Sequence, residues 1–303
     1  MTAQTTIVFT THNRADILRQ AIYAAQKQTV AIDILVMDDA STDHTKLMMM
    51  EEFPAINYYR SSENRGPCYH RNLGIRLAQT EIVFPLDDDS ILQSPLTIEQ
   101  TLAEFDHPHI GAIAIPFINI LQDQQVWTRA PDSRSVYFTH AYVAAAHAVR
   151  RQHFLRMGGY REFFFYMGEE GDFCIRLLEK GLGVRLGRAD PIHHLQPRNR
   201  ISQRADTFGR QNDILFCHCN TPTLLFIPYL LGTIFKGIVF GLRVRRLQYV
   251  FPGFIHGFKL ISQKLEMRQP VSLKCFQLYR QLKKNQAISL EKIKFKLNNL
   301  AVN

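Results

Sequence analysis

Three times in its first ninety residues the chain runs a short apolar, β-branched segment directly into a polar cluster. Thr5 to Thr10 leads into Thr11-His12-Asn13-Arg14, Ile32 to Met37 into Asp38-Asp39, and Ile82 to Leu86 into Asp87-Asp88-Asp89. Helix-length stretches lie between them. Leu18, Ala21, Ile22 and Ala25 recur at helical spacing, and Ser41 or Thr42 can cap a helix running to about Glu52. After a short strand at Asn57 to Arg60, Gly66-Pro67 opens a helix through Ala78, with proline suited to the first helical position. Strands alternating with helices predict an α/β fold with a mostly parallel sheet flanked by helices on both faces, whose ligands bind beyond the carboxyl ends of the strands. Each cluster alone can be a cap or a turn. Their recurrence at successive strand ends favours one shared site.

The acidic triplet defines the chemistry. Adjacent carboxylates repel one another and are costly to bury, so they either face water or are neutralised by a cation. Oxygen-only ligands suit Mg²⁺ or Mn²⁺, and Mg²⁺ keeps coordination positions open for waters and substrate phosphates. A metal-diphosphate site is the expectation, with a solvated acidic loop as the plain alternative.

Further along, Ile110 to Ile120 reads as a buried strand with which Gln125 to Arg129 can pair, and a helix from Arg150 to Met157 stops at Gly158-Gly159. A second acidic group, Glu169-Glu170-Gly171-Asp172, occupies the first turn of a helix that Gly181 ends, where the helix dipole favours negative charge. A strand at Val184 to Leu186 leads to His193-His194. Side chains of adjacent residues in extended chain point to opposite faces, so only one of these histidines can serve a given ion; a hydrogen-bonded core histidine is the alternative.

Charge divides the chain unevenly. Met1 to Gln203 carries 20 Lys+Arg against 23 Asp+Glu, whereas Arg204 to Asn303 carries 16 against 4. A cationic tail implies an anionic surface, and with no nucleic-acid-binding motif beside it a membrane is favoured over nucleic acid. Thr223 to Leu242 is long enough to span a bilayer, but Pro228, Lys236 and the following Arg243, Arg245 and Arg246 fit helices lying in the membrane interface better. A packed helical subdomain and a true span are the alternatives. Cys68, Cys174, Cys217, Cys219 and Cys275 are odd in number and scattered, which points to a reducing compartment; Cys217-His218-Cys219 lacks a second ligand pair at zinc-like spacing. The N-terminus has no basic region and cleavage site of a secretory signal, so a cytoplasmic, peripheral location on the inner membrane face is expected.

With these stretches in place, the chain resembles the family 2 glycosyltransferases of GT-A fold, of the type that builds bacterial cell-surface polysaccharide or lipopolysaccharide. Thr10-Thr11-His12-Asn13-Arg14 is similar to that family's first-strand signature, and Val36 to Asp43 is similar to its nucleotide-binding turn. Asn64-Arg65-Gly66 with Arg71-Asn72 matches the next loop and helix. Asp87-Asp88-Asp89 sits where the family has its D-x-D, while Gly158-Gly159-Tyr160, Glu169 to Phe173 and Arg176 match its later motifs.

The resemblance implies roles. Asp39 would accept from a uracil or thymine imide N–H, His12 stands where relatives often have a base-stacking tyrosine, and Thr10, Asn13, Arg14, Arg65, Arg71, Asp87 and Asp88 complete the donor-binding set. Asp87 and Asp89, or Asp88 in place of one of them, with His193 or His194, would hold Mg²⁺ or Mn²⁺ on the diphosphate. Glu170 falls at the catalytic base, flanked by Glu169 and Asp172 as supports or acceptor contacts. The expected protein is an inverting, metal-dependent hexosyl- or deoxyhexosyltransferase moving a sugar from a nucleotide-diphosphate-sugar donor to a lipid-linked or polysaccharide acceptor. A GT-A catalytic domain over residues 1–212 would precede a basic, apolar helical region over 213–303. A non-catalytic sugar-nucleotide-binding subunit would keep Asp39 and dispense with Glu170. A nucleotidyltransferase would carry a Gly-rich triphosphate loop after the first strand, which Thr11 to Arg14 does not resemble.

Overall fold

The computed structural model describes residues 3–197, 202–263 and 265–301. The β-branched run Thr5–Thr11 forms β1, every residue of it buried, because strands covered on both faces tolerate no polar alternation. The helix Ala15–Gln26 (α1) buries Leu18, Ala21, Ile22 and Ala25, the residues spaced to share one face. Then follow β2 (Ile32–Asp38), α2 (Thr45–Glu52), β3 (Asn57–Arg60), α3 (Pro67–Leu77) and β4 (Ile82–Asp87). These strands pair in parallel in the order β4-β1-β2-β3.

Register decides where the site lies. Thr10 is level with Asp87, and Thr11 with Asp38, so all three polar clusters emerge from the same end of the sheet.

The short strand β5 (Ser90–Ile91), α4 (Thr97–Ala103), β6 (Ile110–Ala114), β7 (Phe117–Asn119), β8 (Val126–Trp127) and β9 (Tyr137–Thr139) come next. The single strand expected over Ile110 to Ile120 is thus two, and Pro116 stands between them; its missing N–H cannot continue a ladder. The chain continues through β10 (His147–Arg150), α5 (Arg151–Arg156), α6 (Glu169–Glu179), β11 (Gly183–Leu186) and β12 (Ile192–His194). β10 pairs antiparallel with both β4 and β6, and β11 and β9 extend that edge. A second sheet of order β5-β12-β7-β8 sits beside the first.

Five α-helices and one further strand complete the fold among the described residues: α7 (Ser202–Asn220), α8 (Phe226–Arg243), α9 (Leu247–Gln263), α10 (Leu273–Asn285), β13 (Ile288–Ser289) and α11 (Leu290–Ala301). A Cβ on Gly253 would meet the Thr207 carbonyl at 2.3 Å and one on Gly257 the Gln211 carbonyl at 3.0 Å; these two glycines let α9 lie against the backbone of α7. β13 pairs with β9 in the main sheet, and Cys275, Phe276, Ile293 and Leu297 join the same core as β1. The boundary drawn at residue 212 therefore falls inside α7, and α10, β13 and α11 pack as part of the α/β body. Among the described residues one helix, Thr223–Arg243, is long and apolar enough to cross a membrane; 11% of it is buried in the fold.

Candidate active site

The polar ends of β1, β2 and β4 open into a cleft of about 540 Å³, closed on its far side by Val143–Ala145, the segment Phe165–Glu170, and His194. Its loops are pinned by short hydrogen bonds. The Asp39 carboxylate accepts the backbone N–H of Arg65 at 2.6 Å and of Gly66 at 2.9 Å, which fixes the loop before α3. Gly66 has φ +82°, and a Cβ there would meet the Phe165 ring at 2.8 Å, so glycine is required twice over. Asn13, also left-handed at φ 56°, accepts the N–H groups of Thr42 and Asp43 on its side-chain oxygen and ties the first loop to the second. His12 donates from Nδ1 to the Asp39 carbonyl at 2.6 Å, leaving Nε2 to accept from the Asn13 amide. Asp38, fully buried, caps the same turn through Ser41 N–H and accepts from Tyr58.

The three carboxylates after β4 have separate surroundings. Asp87, the most exposed, accepts from Arg71, whose guanidinium also donates to Glu169 at 2.7 Å. Asp88 accepts from Thr11 at 2.8 Å and Arg14 at 3.0 Å; burial pushes it up to about 7, aided by Asp89 and opposed by Arg14. Asp89 accepts from Arg14 at 2.8 Å; burial works against its charge, but His194 and Arg14 outweigh that and hold it below the usual carboxylate range. Asp89 Oδ1 is buried without a hydrogen bond, its polar neighbour being His194 Nε2 at 3.3 Å. His194 owes this position to β12, which sets it level with Ser90 on one side and Asn119 on the other. Its Nδ1–H donates to Asn119 Oδ1 at 2.9 Å, which points Nε2 at the carboxylate.

Nε2 at this position either carries a proton, as in the ion pair that lowers Asp89, or gives its lone pair to a cation lying between it and the carboxylate. Among the described residues no three His, Cys, Asp or Glu side chains converge as a closed cage. The pair Asp89 and His194, with the imidazole held in place by the Asn119 side chain, nevertheless suits a divalent ion that shares its coordination with a diphosphate. His193 faces the other side of β12 and does not line the cleft.

The acidic turn of α6 divides in the same way. Glu169 is buried and bound to Arg71; burial, then the charge of Glu170, raises its pKa, against the pull of Arg71. Glu170 lines the cleft half-buried, with Oε1 accepting the Ala144 N–H at 3.3 Å. Asp172 is turned into the fold, where Arg161, Arg176 and Asn220 saturate it, so it supports α6 rather than meeting a ligand. Arg65 likewise contributes its backbone N–H to the site while its guanidinium stacks on Tyr69 at 3.6 Å.

Beneath the Val143–Ala145 wall lies a polar chain that the sequence did not announce. Tyr142 and Tyr160 share a hydroxyl hydrogen bond of 2.8 Å, Tyr160 meets His147 Nε2 at 2.9 Å, and His147 Nδ1–H donates to the Ala144 carbonyl at 2.9 Å. Burial, reinforced by Arg71, pushes His147 down to about 3. The unfolded chain takes up this proton near pH 6.5 and the folded chain does not. Stability from this neutral histidine is therefore complete above pH 6.5 and is lost as pH falls toward 3, on the order of a few kcal/mol over that range. Melting temperatures measured against pH should fall more steeply for the wild type than for His147→Gln; equal slopes would refute the assignment. Arg204, counted above with the cationic tail, also lines the cleft.

Residues 6–166 match the family model described as glycosyl transferase family 2, and the chain belongs to that family. It is 25% identical over 223 residues to the pre-mycofactocin glycosyltransferase of Mycobacterium tuberculosis, covering 66% of this chain and 45% of that protein. To the succinoglycan biosynthesis protein ExoU of Rhizobium meliloti it is 30% identical over 86 residues, 27% of this chain and 25% of that one. The chain thus spans less than half the length of these relatives. The fold is similar to that of the mannosyltransferase PcManGT from Pyrobaculum calidifontis in complex with GDP-Man and Mn²⁺, with TM-score 0.58 and 17% identity over 99% of this chain and 86% of that one. It is also similar to S. aureus TarS 1–349 in complex with UDP-GlcNAc, with TM-score 0.60 and 15% identity over 84% and 79% of the two chains. The fold is GT-A-like.

Proposed function

We propose that this chain transfers a sugar, with inversion, from a nucleotide-diphosphate-sugar to a hydroxyl of a lipid-linked or polysaccharide acceptor at a membrane surface. The observation that carries the reading is the register of β1, β2 and β4, which aligns Thr10, Asp39 and Asp87–Asp89 along one cleft opposite Glu170. The GDP-Man and UDP-GlcNAc complexes of similar fold support the donor class, and the succinoglycan relative supports a glycan acceptor. Asp39 keeps lone pairs for a base N–H while its loop bonds hold it rigid. Asp89 and His194, with Asp87 beside them, would hold Mg²⁺ or Mn²⁺, which supplies charge stabilisation to the departing diphosphate. Arg14 and Arg71 fix the carboxylates so that little reorganisation accompanies binding. Glu170 takes the acceptor proton as the acceptor oxygen forms a bond to C1, the C1–O bond to the diphosphate breaks on the opposite face, and the nucleoside diphosphate leaves with that electron pair.

The test is release of nucleoside diphosphate from a panel of nucleotide sugars with a membrane extract as acceptor source. Turnover is expected to require Mn²⁺ or Mg²⁺ and to fall at least about a hundredfold in Asp89→Asn and in His194→Ala. Turnover that survives chelation and both substitutions would sink the metal assignment.

A further inference from the structure

A second cavity, of about 430 Å³, lies between α7, α8 and α10, away from the cleft. Four cations from three helices line it: Arg210 from α7, Lys236 from α8, and Arg280 and Lys283 from α10. Its one acid, Asp213, is paired with Arg210 at 3.0 Å. No ion pair engages Lys236, Arg280 or Lys283 among the described residues, and Arg210 Nε is buried without an acceptor. Like charges gathered by tertiary structure around one hollow raise the potential there and call for an anion. The apolar side chains of Leu225, Tyr229 and Phe276 line it as well.

The cavity borders an unusual surface. Along α8 and the turn before it, Leu224, Ile227, Leu231, Phe235, Val239 and Leu242 recur every three or four residues and are all exposed, Leu224 by 81% and Phe235 by 68%. Phe251, Ile255 and Phe258 make a like stripe on α9. Tyr229, Gly232 and Lys236 sit on the next face of α8 round from the stripe, so the cation pocket opens at its flank. An apolar stripe edged by cations is the pattern of a helix lying in a lipid interface, with acyl chains under the stripe and headgroups beside it. The charge of the whole region, 16 Lys+Arg against 4 Asp+Glu from Arg204 onward, complements anionic lipid.

We infer that this pocket seats the headgroup phosphate of an anionic phospholipid, from the bilayer on which the α8–α9 stripe rests. The four cations meet the phosphate, and Leu225, Tyr229 and Phe276 meet the start of the lipid's apolar part. The inference rests on the membrane placement proposed above and not on the transfer chemistry.

Flotation of the full chain with phosphatidylcholine vesicles, with and without phosphatidylglycerol, tests it. The wild type should prefer the anionic vesicles. The combined Lys236→Gln, Arg280→Gln and Lys283→Gln variant should lose that preference by about a hundredfold, at roughly a factor of five per cation. A charge-matched control, Lys292→Gln with Lys294→Gln and Lys296→Gln on α11, should lose much less. Gly232→Phe fills the pocket without altering charge, since a Cβ there meets nothing within 4 Å, and it too should lose the preference. Equal losses in the two charge variants, with Gly232→Phe unaffected, would reduce the pocket to diffuse electrostatics and overturn the inference. Stabilisation by inorganic phosphate that Gly232→Phe abolishes, without any vesicle binding by the wild type, would make it a soluble-anion site instead. Wild type that floats with no vesicle contradicts the membrane placement itself, whereas failure of the transferase assay leaves every one of these readouts standing.

Discussion

Glu170→Gln is expected to reduce turnover about a thousandfold while leaving donor affinity and stability close to wild type, because a positioned general base contributes between a hundredfold and ten-thousandfold. Glutamine preserves the shape of the side chain and can still accept the Ala144 N–H that now orients Oε1. It removes only the capacity to take the acceptor's proton. Neighbouring Glu169 provides the contrast. Its carboxylate is spent on Arg71 and lies buried, so Glu169→Gln should act through stability and donor positioning. Single-turnover rates beside donor dissociation constants separate the two. A Glu170→Gln enzyme within tenfold of wild type would remove Glu170 from the chemistry.

The second large effect concerns Arg71, which is 4% exposed and joins Asp87 at the end of β4 to Glu169 at the start of α6. Arg71→Met fills similar volume but leaves two carboxylates facing each other without their cation. Breaking a buried ion pair by removing one partner costs about 3–5 kcal/mol, since the remaining charge stays desolvated. Urea unfolding at neutral pH should register a loss of that order. Glu169 already binds its proton more tightly folded than unfolded, and loss of Arg71 strengthens this. The folded variant then holds more protons than the unfolded chain, so its deficit grows as pH rises and shrinks toward acid. The double variant Arg71→Met with Glu169→Gln should recover at least about 1 kcal/mol. Additive losses would mean that the ion network is not a unit.

What sequence could and could not tell follows from distance along the chain. β1, β2 and β4 were legible because each is a short β-branched run closed by polar residues, and their shared polar end follows from parallel pairing alone. Glu170 and the acidic triplet were legible as motifs. The partner of Glu169 was not, since Arg71 lies 98 residues earlier and no local period links them. Choosing His194 over His193 likewise needed the register of β12 against β5 and β7, which fixes the face each side chain takes. Asp172 shares the acidic turn of α6 with Glu169 and Glu170, and only the positions of Arg161, Arg176 and Asn220 reveal that it points inward. The extent of the resemblance suggested a boundary at residue 212 and the charge changed at Arg204, but neither marks packing: β13, α10 and α11 share a core with the main sheet. The spacing of apolar residues along α8 was visible in the sequence; that one stripe of them faces outward beside a cation-lined hollow was not.

Donor recognition in the cleft is tested most directly by thermal stabilisation with a panel of nucleoside diphosphates and nucleotide sugars, each with Mn²⁺ and with chelator. A ligand that binds only the folded chain raises its melting temperature, so one nucleotide class should stabilise the wild type in the presence of metal and fail to do so in Asp89→Asn or in chelator. No shift with any nucleotide, or a shift that ignores both the metal and Asp89, would contradict a metal-diphosphate site at the end of β4.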